Sequence, residues 1–250
     1  MIFLTEPIDF DQESICFNRM VLAIVRNSGV LLFILNVLLK TMLFSEDTME
    51  YPKIFQKSSG TYQFGSIEID QDKREFSFPA VCNQVSGLIE YALVHEDGKT
   101  HESLFRTQVS PKLIHASLLL LKEKPQPAFF KFVESNSTKL MQMPAIEIMV
   151  EWEHNGSFYK TWTNSMVLNQ TDDRELSESS FVFTGSKVVE GTYLAEMDGS
   201  IVAIYHDNRA TLNSRDLNSD SDDVWIANES KMPPKNLPVL VRFQLPKKSE

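Results

Sequence analysis

The run His101-Glu102-Ser103 places an imidazole, a carboxylate and a hydroxyl on consecutive residues, and Glu90 precedes it by about one strand length. Side chains of these types supply general bases, nucleophiles and metal donors. A zinc-protease helix needs His-Glu-x-x-His, and the fifth position here is Phe105, so that motif is absent. A Ser-His-carboxylate arrangement can be drawn from Ser103, His101 and Glu90, but no nucleophile elbow surrounds Ser103. A metal site on His101 and Glu102 needs further donors, for which His206 and Asp207 are the candidates. A second oxygen-donor set, Asp216, Asn218, Asp220 and Asp222, has the alternate spacing of the first half of a calcium loop. Its sixth and twelfth positions are Ser221 and Ala227 rather than Gly and Glu, which favours a solvated acidic loop. A divalent metal is the cofactor these sets would take.

The elements that carry the first cluster are strands. Residues 88–95 and 100–107 flank Asp97-Gly98, which predicts an antiparallel hairpin with a two-residue turn. In that register Val94 faces His101 and Ala92 faces Ser103. His101, Ser103 and Glu90 then share one face, while Glu102 lies on the more apolar face with Tyr91, Leu93 and Leu104. An ionised Glu102 there needs a partner, and Arg106 is on its face. A three-residue loop with a bulge would instead bring Glu90 opposite Glu102. Ser110-Pro111 reads as the N-cap and first turn of a helix over about 110–122. Its run of leucines 118–121 is apolar on nearly all sides and is expected under a sheet. Residues 146–153 alternate well and turn at Asn155-Gly156 into residues 158–162, and a third hairpin is expected around Asp198-Gly199. Residues 64–69, 75–78 (ending at Pro79), 181–184 and 239–245 are further strands. Many short strands with one principal helix predict an α+β fold that is mostly antiparallel β.

Charge and cysteine usage narrow the function classes. The net charge is −10, of which residues 46–250 carry 21 basic against 30 acidic groups, so the body repels phosphate backbones and no nucleic-acid partner is expected. Cys82 is the only cysteine after residue 45, so it reads as a small buried hydrophobe with no disulfide partner in the body. Trp152 and Trp162 read as core or rim aromatics, Trp225 as the anchor of the acidic loop, and His115 and His154 as structural or exposed.

Residues 29–39 are almost wholly apolar, follow Arg19 and Arg26, and are too short for a full membrane span. This predicts a signal peptide or N-terminal membrane anchor over 1–45, with Met20 an alternative start. Residues 46–60 read as a linker and 61–250 as one domain, located outside the cytoplasm. Sequons at Asn136, Asn155, Asn169 and Asn228 matter only in a eukaryotic host.

Several blocks share a pattern with a known family. They are Phe78-Pro79-Ala80-Val81, Gly87-x-Ile89-Glu90-Tyr91, Gly98-Lys99-x-His101-Glu102-Ser103-Leu104, and Ser110-Pro111 with Leu118-Leu119-Leu120. Phe183-Thr184-Gly185-Ser186, Gly199-Ser200-Ile201-Val202-Ala203, Asp222-Asp223-x-Trp225 and Met232-Pro233 extend it. Over about 64–245 the chain resembles the YdjY-domain family of bacterial proteins, from which Cys82 departs. The resemblance implies a bacterial exported protein and joins the His101 region to residues 207–223, but it supplies no activity. The expectation is a non-catalytic module that binds a protein or a small molecule. The alternative is a metal-dependent hydrolase centred on His101 and Glu102.

Overall fold

The computed structural model describes residues 52–216 and 218–247. The expected leader or anchor over 1–45 lies outside them. The strands are β1 (Ile54–Ser58), β2 (Thr61–Phe64), β3 (Ile67–Asp70), β4 (Glu75–Cys82), β5 (Tyr91–His95), β6 (Ser103–Thr107), β7 (Glu147–His154), β8 (Ser157–Trp162) and β9 (Val167–Asn169). They continue with β10 (Arg174–Glu175), β11 (Phe181–Phe183), β12 (Val188–Val189), β13 (Thr192–Tyr193), β14 (Ser200–Ala203), β15 (Leu212–Ser214), β16 (Trp225–Ala227) and β17 (Pro238–Gln244). The α-helices are α1 (Pro111–Leu120), α2 (Phe129–Glu134) and α3 (Leu194–Asp198). The fold is α+β, rich in β and mostly antiparallel: β5–β6 and β14–β15 are parallel, and the other strand pairings are antiparallel.

The main sheet runs β8-β7-β17-β4 and forks at β4. One edge of β4 pairs with β3 over Glu75 to Ser77 and then with β6 at Val81 and Cys82. Pro79, expected to end the strand, lies between those two stretches, where it owes no ladder N–H. Its carbonyl accepts the Thr107 hydroxyl at 2.7 Å. From β6 the path continues β5-β14-β15-β11, and a bridge from Ile146 to Phe181 returns it to the start of β7. The sheet thus curls back on itself around one core that includes Phe76, Phe78, Phe105, Val150, Phe183, Trp225 and Phe243. Burying that much apolar surface is the main term holding such a fold together.

Several expectations held. Asn155 and Gly156 both have positive φ (51° and 73°), and His154 pairs with Ser157, giving a tight two-residue hairpin. Ile146, Ile148, Val150 and Trp152 face inward from β7. The Ser110 hydroxyl caps α1, accepting from Lys112 N at 3.2 Å.

Other expectations are corrected. Strands β5 and β6 are parallel neighbours, Tyr91 beside Ser103 and His95 beside Thr107, so residues 88–107 are not a hairpin. The chain doubles back through residues 96–102, which end in a 3-10 turn over Thr100–Glu102. The third hairpin is also absent: residues 194–198 form α3, closed by Gly199 in the left-handed region, and β14 then pairs with β5 and β15. Both Asp-Gly pairs do turn the chain, but their glycines meet each other. A Cβ on Gly98 would lie 2.8 Å from Asp198 O, and one on Gly199 would lie 2.8 Å from Gly98 Cα. Leu118 of α1 and the C-cap Leu121 are buried while Leu119 and Leu120 are exposed (49% and 38%), so no described strand covers that flank. Of the expected linker, Ile54–Ser58 forms the exposed edge strand β1.

Gly199→Ala adds a Cβ to a left-handed backbone and drives it into Gly98. The expected cost is about 2–4 kcal/mol, combining backbone strain and overpacking. Gly98→Ala is expected to cost less, about 1–3 kcal/mol, because only the close approach is violated. Urea denaturation of both variants checks this, and a Gly199→Ala protein as stable as the native would refute the contact.

Candidate functional site

The structure disperses the His101-Glu102-Ser103 run. His101 is exposed, and its Nε2 lies 3.4 Å from Glu102 Oε2. Glu102 therefore pairs with its neighbour and not with Arg106, whose guanidinium donates to Asn83 Oδ1 at 2.9 Å. Ser103 is buried, accepting from Asn83 Nδ2 at 3.2 Å and donating to Thr100 O at 3.4 Å, with no base on its hydroxyl. His206, expected beside His101, is half-buried and turned toward Ser214 and Phe129. Its Nε2 bonds Ser214 O at 3.0 Å, its ring meets Phe129 edge-on at 5.6 Å, and burial pushes its pKa down. The donor set His101, Glu102, His206 and Asp207 is not assembled, and among the described residues no three His, Cys, Asp or Glu side chains converge as metal ligands.

Asp207 has other partners. It accepts from the Tyr91 hydroxyl at 2.9 Å and from Arg209 N at 2.8 Å, and its own N–H donates to Asn213 Oδ1 at 2.7 Å. The Lys99 ammonium sits 4.7 Å from the Tyr91 ring centre, bonds the Tyr91 hydroxyl, and lies 4.0 Å from Asp207 Oδ2. Burial and the Asp207 charge push the Tyr91 phenol far up, so it stays a neutral donor. Arg209 in turn pairs with Asp198 at the end of α3. Glu90 borders this group. Burial and then the Glu102 charge raise its pKa, Lys99 opposes them, and Asp222 and Asp207 add to the rise. The two regions that the family pattern joins do meet, through Tyr91, Lys99 and Asp207.

The second donor set also resolves differently. The Asp216 side chain is buried and accepts from Arg174 Nη1 and Nη2 at 3.0 and 2.9 Å, and from Ser177 N at 2.9 Å and Oγ at 2.5 Å. Its oxygens are saturated by donors, while Asp220 and Asp222 are exposed. Asn218 uses its backbone carbonyl to hold Trp225 Nε1 at 3.0 Å. Residues 218–225 are thus a loop held at Trp225, with Asp216 fixed ahead of it, and not a set of ligands around one point. Cys82 is likewise spent: it is buried, donates to Pro233 O at 3.3 Å, and burial pushes its thiol up to about 11.

A cleft of about 310 Å³ has no counterpart in the sequence reading. It opens where β8 leaves β7 at Met149 and β11 rejoins that edge at Ile146. Its lining is mostly polar: Glu147, Glu175 and Glu178 with Asn164, Ser165, Ser179 and Ser180 surround the buried Ile146, Ile148 and Phe181, and Trp162 stands at one side. The Ser179 hydroxyl donates to Glu147 Oε1 at 2.8 Å and steadies that carboxylate. The available sequence signal was weak: Trp162 at a strand end and glutamates spread over thirty-odd positions.

The curled β-rich sheet, with Tyr91, Lys99 and Asp207 linking its two signature regions, defines a small α+β domain class. The YdjY-domain family model matches residues 67–244, and the chain belongs to that family. No curated protein and no solved structure matches it.

Asp216 offers a test with a definite sign. Burial raises its carboxyl, but the Arg174 and Ser177 bonds outweigh burial and hold it below 3.8. A depressed folded pKa contributes stability that is complete above pH 3.8 and is lost as pH falls through the lower folded value. Asp216→Asn is expected to cost about 3 kcal/mol at pH 7, the low end for breaking a buried pair because Arg174 stays partly solvated. The deficit should shrink when denaturation is repeated below pH 3. A deficit that does not change with pH would mean the charge of Asp216 is not what the pair uses.

Proposed function

We propose that this chain is a non-catalytic binding module located outside the cytoplasm, and that the cleft beside Trp162 receives its ligand. One observation carries this reading: Trp162 and three carboxylates meet in one cleft with Asn164, Ser165, Ser179 and Ser180, over the buried Ile146, Ile148 and Phe181, and no Lys or Arg lines it. Its volume of about 310 Å³ is at the small end of the range for small-ligand sites, and its lining is more polar than is usual for one, which suits a charged group. An aliphatic stem ending in a cation fits such a site. The stem lies on Ile146, Ile148 and Phe181, and the charge meets the glutamates and the indole face, a contact worth about 0.5–2 kcal/mol. The groups that could have done covalent chemistry have other roles: Ser103 and Cys82 are buried and bonded to neutral partners, and the half-buried His206 bonds the Ser214 carbonyl.

The location rests on residues 29–39 behind Arg19 and Arg26, which support export or N-terminal anchoring. The net charge of −10 supports basic partners over nucleic acid.

N-acetyl-lysine-N′-methylamide is the probe for the cleft. Added to the full chain, it should shift amide resonances around residues 146–148, 162–165 and 178–181, and the norleucine analogue should not. Glu147→Gln/Glu175→Gln/Glu178→Gln should weaken binding on the order of tenfold, since three carboxylates each supply a modest screened attraction. Equal binding of the two probes would refute the cationic cleft. For location, alkaline phosphatase fused after residue 60 should be active with residues 1–45 present and inactive without them. Activity in both fusions, or in neither, would refute export.

A further inference from the structure

The strand next to the cleft has an open edge. Among the described residues β8 pairs only with β7. The two-residue turn fixes which of its backbone groups are used. His154 and Ser157 flank the turn as a hydrogen-bonded pair, so Trp152–Tyr159 and Val150–Thr161 are hydrogen-bonded pairs as well. The alternate residues Phe158, Lys160 and Trp162 therefore direct their N–H groups away from β7. Phe158 and Lys160 direct their carbonyls outward too, while the Trp162 carbonyl accepts the Ser165 hydroxyl at 2.9 Å. The same strand exposes Phe158 (62%), Tyr159 (43%) and Trp162 (37%). An exposed edge with aromatic side chains is a template for an added strand.

We infer that β8 accepts an extended peptide segment of a partner protein as an additional strand, and that a lysine or arginine of this segment enters the cleft beside Trp162. This rests on the cationic reading of the cleft, and it names the partner: a basic segment in β conformation. Two charge arguments select it. The rim carboxylates lie just beyond the Trp162 end of the edge, within a residue or two of added strand at about 3.3 Å per residue. A second copy of this chain is disfavoured, because antiparallel self-pairing centred on the edge would set Lys160 opposite Lys160 between bodies that are each net negative. The other open edge of the main sheet, β1, ends at a turn beside Gln71 and Asp72, and the pocket there is lined by Arg74 and Lys122, which oppose a basic side chain.

The test uses the full chain and the peptide acetyl-Ser-Val-Thr-Val-Lys-Thr-Val-Ser-amide. Hydrogen exchange of the Phe158, Lys160 and Trp162 amides is expected to slow on the order of tenfold or more at saturating peptide, because pairing removes them from solvent. The norleucine version should bind more weakly. Lys160→Pro removes one outward N–H without touching the ladder to β7, so it should abolish the protection while β7 exchange is unchanged. A peptide N-methylated on alternate residues is the matching variant on the ligand side and should not bind in one of its two registers. Cleft resonances that shift while Phe158 and Lys160 exchange as before would overturn strand addition and leave the cleft reading standing. Protection that is equal for lysine and norleucine peptides would overturn the charged contact. Protection without peptide, accompanied by dimers in sedimentation, would identify a second copy as the occupant and overturn the proposal.

Discussion

The backbones at Gly98 and Gly199 touch. No side chain fits between the turn that follows β5 and the turn that follows α3, because a Cβ on either glycine would lie 2.8 Å from an atom of the other turn. His95 N donates to Gly199 O at 2.8 Å, and Gly98 N donates to His95 O at 2.8 Å, so the contact is bonded as well as close. Much of the site follows from it. Lys99, the next residue, is placed over Tyr91, and Asp198, the residue before Gly199, is placed against Arg209. Arg209 N then donates to Asp207, which takes the Tyr91 hydroxyl. Two glycines far apart in sequence thus set the positions of a lysine, a tyrosine, two aspartates and an arginine.

This arrangement shows what occupies many of the potentially reactive groups among the described residues. Buried polar groups need partners, and here the partners are structural. Asp216 is saturated by Arg174 and Ser177, Asp207 by Tyr91 and a backbone N–H, and Ser103 by Asn83. On the solvent face, Arg242 of β17 bridges Glu75 of β4 and Glu151 of β7 at 2.9 and 3.1 Å, tying three adjacent strands together. At the cleft Glu147 accepts from the Ser179 hydroxyl while Glu175 and Glu178 are exposed, and the proposed recognition draws on these carboxylates and on the outer edge of β8.

Sequence periodicity located what is local. The β7–β8 hairpin was legible because Asn155-Gly156 supplies both positive φ angles and the inward residues alternate on either side. Helix α1 was legible from Ser110-Pro111, and β17 from its alternation. Asp97-Gly98 and Asp198-Gly199 carry the same dipeptide signal as a hairpin, yet neither closes one. The dipeptide states that the chain turns, not which strand it returns to. Parallel pairing of β5 with β6 is decided by β4 and β14 occupying the flanking positions, which is information from residues well outside the turn. The strand direction in turn decides which side chains Glu102 and Ser103 can face. Exposed Leu119 and Leu120 show the same limit: an apolar run predicts burial only where another element is present to cover it.

The cleft is a consequence of unequal strand lengths. Strand β7 has eight residues, and β17 covers one of its edges from Glu147 to Glu151. The opposite edge is shared: β8 covers it from Met149 onward, and β11 reaches it only at Ile146. Glu147 and Ile148 therefore lack a neighbour on that side. Continuing β8 by two residues would close the gap, but residues 163–166 form a 3-10 turn that buries Thr163 and Met166 and leads the chain into β9. Those two side chains commit the backbone to turn inward directly after Trp162, which leaves the indole at the lip of the opening. The same turn that fills the core thus creates the cleft and places an aromatic wall at its entrance, so the opening belongs to the fold itself rather than to a loop that could be trimmed without cost to the core.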